Sequence, residues 1–243
     1  MSKSDVLTRK DMKEPDKFQQ AATQAANWIA ARRRRVVAIG GAAVALVVLV
    51  AIASAVQTRR AEQAGAAGAD LMSIVSAEVS AVPLPGFPGP FFKTDEEKQR
   101  AIVQAAERVL ADYGGTPVAS LAALAAGNAH LKLGEWDAAK AAYERYLANA
   151  PKDDSLRFGA LEGIGLAEEG KGNLDGAAAA YDRLARETPA FADRADLDRA
   201  RVLAAAGKSS EAKELLAKFP ERHKESQLGA EASERLARLG GAK

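Results

Sequence analysis

Two histidines, His130 and His223, and no cysteine are the soft donors of this 243-residue chain. An imidazole works as a base or a metal ligand only with further donors, an acid or a nucleophile placed beside it. The sequence specifies none next to His130, which reads as a packed side chain. The acidic pairs Asp153-Asp154 and Glu168-Glu169 read as helix caps or solvated helix faces. There is no His-Glu-x-x-His, no phosphate-cradling glycine loop and no nucleophile elbow. The expectation is a binding module, not an enzyme, with no metal, no cofactor and no small-molecule substrate. A different chemistry is available at Arg32, Arg33, Arg34 and Arg35, with Trp28 just before them. Guanidinium groups attract anionic headgroups, and an indole ring favours the membrane interface. These five residues are the expected membrane anchor.

What they would anchor follows at once. From Val36 to Gln57 the sequence reads VVAIGGAAVALVVLVAIASAVQ, and 23 positions between Arg35 and Arg59 carry no charge. At ~1.5 Å per residue, a helix of that length crosses a ~30 Å hydrocarbon core. Four arginines precede the run and only Arg59 and Arg60 follow it. The positive-inside rule then puts the N-terminal side in the cytoplasm and the large C-terminal part across the membrane. Small-x-small triplets such as Ala51-Ile52-Ala53 would suit a cleaved signal peptide. However, the preceding 35 residues and the apolar run both exceed the usual signal-peptide lengths of roughly 7–15 apolar residues behind a short basic region. Gly41 and Ala45 would allow close approach of a second helix.

Net charge is +2 but unevenly shared. Residues 1–35 carry nine Lys/Arg against four acids, and the remainder 25 against 28, so +5 and −3. A mildly acidic C-terminal part does not suit nucleic acid. Residues 1–15 read as disordered, Asp16–Arg35 as a helix, and 58–82 as a helix continuing from the span, with Leu71, Val75, Val79 and Val82 forming an apolar stripe to be covered by the body of the domain or else to serve as an oligomer seam. PLPGFPGPFF (83–92) breaks that helix. Residues 83–94 are read as an extended connector whose Phe87, Phe91 and Phe92 either plug a groove on the same chain or meet a partner.

From 95 to 243 a helical array is expected. Ala105, Ala139, Ala177 and Ala212 recur at spacings of 34, 38 and 35, each followed four residues later by Val109, Tyr143, Tyr181 or Leu216. Gly134, Gly172 and Gly207 stand five residues before the last three alanines, and Pro117, Pro151 and Pro189 follow the first three helices. Gly127, Gly165 and Ala200 sit where a larger side chain would block helix crossing. Gln227–Leu239, with Leu228, Ala232, Leu236 and Leu239 on one stripe, reads as the polar cap ending a solenoid.

The spacing resembles the tetratricopeptide repeat, a 34-residue helix–turn–helix unit with small residues near positions 8 and 20, an aromatic near 24 and Pro at 32. Residues 120–153 fit best, through Gly127, Ala139, Tyr143 and Pro151, and 158–191 fit through Gly165, Ala177, Tyr181 and Pro189. Residues 193–220 are truncated, and Asp95–Pro117 supplies only a second helix. The resemblance implies an all-α fold: a single N-terminal transmembrane helix followed by a tetratricopeptide-like α-solenoid. It also implies a partner-binding groove lined by positions 2, 5, 9 and 12 of each first helix. Those are Leu121, Leu124, Asn128 and Leu131; then Gly159, Glu162, Leu166 and Glu169; then Arg194, Leu197, Arg201 and Ala204. Leu124 stands where family members that bind chain-end carboxylates have Lys, so that specificity is not implied.

The order of tail, span and repeats resembles the YfgM-like ancillary subunits of the SecYEG translocon. That implies a bacterial inner-membrane protein with a periplasmic repeat domain. Its expected partners are the translocon, a periplasmic chaperone or nascent chains. A scaffold subunit of another envelope assembly has the same architecture.

Overall fold

The computed structural model describes residues 17–80 and 90–241. The readings for residues 1–15 and for Val82–Gly89 lie outside them. The chain forms two compact units, residues 1–59 and 60–243.

In the first unit, helix α1 (Lys17–Ala31) is followed by a one-residue turn at Arg32 and then by α2 (Arg33–Val75), whose residues from Arg60 onward belong to the second unit. The Arg32 guanidinium lies 4.9 Å from the centre of the Trp28 ring, a cation–π contact. Val37, Ile39, Val44, Leu46, Val47, Leu49 and Ile52 all face outward. Helix α2 is long and apolar enough to cross a membrane.

Among the described residues of the second unit, the regular structure is helical apart from one short parallel pairing, β1 (Glu78–Val79) with β2 (Phe91–Phe92). Helices α3 (Asp95–Asp112), α4 (Pro117–Lys132), α5 (Trp136–Asn149), α6 (Arg157–Gly170), α7 (Leu174–Glu187), α8 (Ala192–Ala205) and α9 (Ser209–Ala217) follow in order, each packed on the next. A short α10 (Phe219–Arg222) and α11 (Gly229–Gly241) close the array.

Helix starts follow from capping side chains. Thr94 accepts the Glu97 N–H at 3.1 Å, Thr116 accepts the Ala119 N–H at 3.2 Å ahead of Pro117, and Asn173 accepts the Gly176 N–H at 3.1 Å. Each satisfies an orphan backbone donor. Helix ends are set by the repeated glycine. At Gly134, φ is +72°, the Gly134 N–H bonds the Leu131 carbonyl and the Glu135 N–H bonds the His130 carbonyl. This is a Schellman closure, and it needs a left-handed residue. Gly172 and Gly207 repeat the same pair of bonds.

Three findings depart from the sequence reading. Helix α2 stops at Val75, not Val82. The Ser76 hydroxyl folds back onto the Met72 carbonyl, and Lys98 Nζ takes the Ala77 carbonyl at 2.8 Å, which turns the chain into β1. Val79, expected on the buried stripe, is exposed. Second, Ala67, Leu71, Ile74 and Val75 of α2 pack with Ile102, Ala106 and Val109 of α3 and with Ala122 and Ala126 of α4. The end of α2 is therefore the first helix whose partner is α3, completing a unit expected to hold only a second helix. Third, Pro117 opens α4 as well as following α3.

Within the array, glycine meets tyrosine. A Cβ on Gly127 would lie 2.7 Å from the Tyr143 ring, and one on Gly163 would lie 2.3 Å from it. A Cβ on Gly165 would lie 2.6 Å from the Tyr181 ring. The rings of α5 and α7 thus sit directly on the backbones of the first helices. We expect Gly163→Ala and Gly165→Ala to cost about 1–3 kcal/mol each through overpacking. Gly159→Ala, with nothing within 4 Å of its added Cβ, should instead stabilise by roughly 0.5–1 kcal/mol. Thermal unfolding of the detergent-solubilised chain, followed by circular dichroism, should show Tm moving in opposite directions for substitutions in the same helix.

Candidate partner-binding groove

The first helices adjoin one another. A Cβ on Gly68 of α2 would meet Val118 of α4 at 2.7 Å, α4 touches α6, and α6 is tied to α8 by ion pairs described below. Together they make one face, on which the expected groove positions have separate fates.

Leu121, Leu124, Asn128 and Leu131 of α4 all line a single pocket of about 580 Å³. Its other walls are Met72 and Val75 of α2, Lys98, Gln99 and Ile102 of α3, and Ala125, Lys132 and Leu156. Leu121 is 49 % exposed, and Met72 and Leu156 are likewise open. The α2 contribution could not be read from the repeat pattern, which begins after it, and α3 reads as a second helix, which carries no groove positions. Asn128 is oriented from behind: the Tyr143 hydroxyl donates to its Oδ1 at 2.8 Å. That fixes which end of the amide is the acceptor and leaves the Nδ2 donors for another group.

Farther along, the polar positions are turned toward each other. Arg194 pairs with Glu162 at 3.0 Å. Arg201 forms a two-pronged contact with Glu169, at 2.6 and 2.8 Å, and Tyr181 donates its hydroxyl to the same carboxylate at 2.7 Å. Leu166 remains exposed between them. Leu197 is a correction. It is only 4 % exposed and packs with Ala200, Leu216, Phe219 and Ala232, under Leu228, Leu236 and Leu239. The terminal helix α11 covers that side of α8, and Arg235 donates to the Leu197 carbonyl at 2.9 Å. The final unit offers a partner only its arginines and Ala204. Of the phenylalanines expected either to plug a groove or to meet a partner, Phe91 and Phe92 lie in β2 and do not line this pocket, and Phe87 lies outside the described residues.

Asp153 is exposed and Asp154 accepts the Leu156 N–H at 2.9 Å ahead of α6, as expected of a cap, but the surroundings of His130 and Glu168 differ from expectation. His130 Nδ1 lies 2.6 Å from Glu135, and His223 Nε2 lies 2.7 Å from the buried Asp196, which also takes Arg222 at 2.9 Å. Both therefore have an acid beside them, at His130 across the turn that closes α4 and at His223 by packing against α8. Each ties one element to another, and Ser226, which shares a pocket with His223, donates its hydroxyl to Asp193 at 2.6 Å. Glu168 is not solvated: it is 3 % exposed, holding Lys140 at 2.5 Å and Asn173 at 2.7 Å. Among the described residues no group of His, Asp and Glu is arranged to hold a metal ion.

These contacts set the acid sensitivity of the array. The hydrogen bond from Lys140 holds the Glu168 carboxyl below its usual range, against the opposing effect of burial and with help from Asn173. Arg201 does the same for Glu169, with Tyr181 assisting. A carboxylate whose pKa is lower folded than unfolded adds stability above its unfolded value, about 4.3 for Glu, and loses it as pH falls through the folded value. The urea midpoint should therefore hold steady between about pH 5.5 and 7 and drop below about 4.5. Glu169→Gln should shallow that drop.

Residues 97–154, and again 124–190, match the tetratricopeptide repeat family. The two matches overlap across α4 and α5 and reach from α3 to the 3-10 turn at Pro189 that precedes α8. No curated protein matches the chain.

Proposed function

We propose that this protein is a single-span membrane scaffold that holds a segment of a partner protein on its repeat face, beside a bacterial secretion channel. Tetratricopeptide repeats serve protein–protein interaction, and that part of the reading rests on the family match. The observation that carries the rest is the pocket beside α4. The four positions that the repeat pattern nominates converge on one apolar cavity, in the ~300–1,000 Å³ range typical of binding sites.

The membrane assignment draws on the apolar run of α2 within the first unit, whose large side chains from Val37 to Val56 are exposed. Arg33, Arg34 and Arg35 occupy its first turn. Cations are disfavoured at that end of a helix by the macrodipole, and anionic lipid headgroups would relieve the conflict. Trp28 and Arg32, stacked on each other, would lie at the same depth. The excess of arginine before the span supports an orientation with the N-terminal side in the cytoplasm and the repeats on the periplasmic side of the inner membrane. Partners there would be the SecYEG translocon, a periplasmic chaperone or a chain in transit.

Photo-crosslinking amino acids at Leu121, Leu124 and Leu166, introduced in cells, test the partner. Adducts with translocon subunits, chaperones or exported chains are expected from Leu121 and Leu124, and more weakly from Leu166, which lies among ion pairs. Adducts with a division or other envelope complex would replace the translocon assignment, and no adduct at all would reject the groove. A reporter fused after Lys243 that is active only outside the cytoplasm supports the orientation, and one active in the cytosol overturns it.

A further inference from the structure

The pocket beside α4 has a charge as well as a shape. Its charged lining residues are Lys98 and Lys132, and no carboxylate shares the lining. Lys98 is committed to the Ala77 carbonyl. The lysines in ion pairs among the described residues are Lys140, Lys171, Lys208 and Lys218. Lys132 is not one of them, and it is exposed in the last turn of α4. This contrasts with the rest of the face, where Glu162 meets Arg194 and Glu169 meets Arg201. Charge is cancelled between α6 and α8 by these two pairs and left open at Lys132 in the α4 pocket.

We infer that the pocket takes an aliphatic protein segment carrying an acidic side chain, the aliphatic groups entering between Leu121, Leu124 and Met72 and the carboxylate reaching Lys132. The inference deepens the docking reading above and rests on it. The apolar walls supply affinity without direction. Asn128, whose oxygen is held by Tyr143, presents its amide hydrogens to a main-chain carbonyl of the segment. The open ammonium selects sign: a basic segment would bring like charge against Lys132 with no acid in the lining to offset it, whereas an acidic one gains a partner. A single cation neutralises a side-chain carboxylate, and nothing in the lining adds a second cation free to clasp a chain end.

The test uses the full chain in detergent and fluorescein-labelled, C-terminally amidated peptides that share a Leu/Val core and carry Glu, Gln or Lys beside it. Fluorescence anisotropy should rank them Glu, Gln, Lys, with Glu ahead of Gln by roughly three- to fivefold at low salt and less at high salt. Lys132→Met should erase the Glu–Gln difference, and Lys132→Glu should invert the order. Leu121→Ser, at an exposed position, should weaken all three by roughly tenfold. Equal affinities for the three peptides, or a Glu–Gln difference that survives Lys132→Met, would overturn the charge selection. Binding indifferent to Leu121→Ser would locate the site elsewhere and overturn the proposal. If no peptide binds while crosslinks from Leu124 still capture a translocon or chaperone partner, this specificity falls and the docking reading stands. If both are absent, both fall.

Discussion

The array is built on bare backbone meeting an aromatic ring. Tyr143 of α5 lies against Gly127 of α4 on one side and Gly163 of α6 on the other, and Tyr181 of α7 lies against Gly165. Both rings are fully buried, and the alanines around them, Ala123, Ala139, Ala160, Ala167 and Ala177, leave them the room. Dispersion acts only over short distances, so small residues that let helices approach strengthen every contact around the ring. The same two tyrosines donate their hydroxyls to Asn128 and Glu169 on the first helices. Packing inside the array and the polarity of its surface are therefore set by the same side chains.

This dependence explains what the sequence disclosed. Glycine, alanine, tyrosine and proline recur at fixed spacing because each is required by one geometric event: a close crossing, a tight pair, a ring and a helix end. Those residues could be read directly, and the α4 groove positions came with them. What the spacing did not disclose depends on elements from elsewhere in the chain. The end of α2 carries no repeat signature, yet it supplies a wall of the pocket through Met72 and Val75. Leu197 sits at a groove position by register, but α11 covers it. Glu168 and Glu169 look alike in sequence, although one is buried with Lys140 and Asn173 and the other is held at the surface by Arg201. Their difference lies in which neighbouring helix reaches them.

The distribution of ion pairs follows the same logic. Paired charges such as Glu162–Arg194 and Glu169–Arg201 bridge successive first helices, and Arg183 joins Glu144 across successive second helices at 2.7 Å. Arg157, nearly buried, reaches both the Leu147 carbonyl and Glu187. Such pairs add little net energy at the surface, but they fix the angle between units, and with it the width of the face that the units share.

The packing of each unit on its neighbours has a further consequence. Each helix pair leans mainly on its neighbours, and the last unit, with its nine-residue α9, has the least to lean on. Fraying that starts at the C-terminal cap would have to pass through α8 and then the α6–α7 pair before it disturbed α4. Distance along the chain thus works as insulation: the end that opens most readily is the one farthest from the cavity.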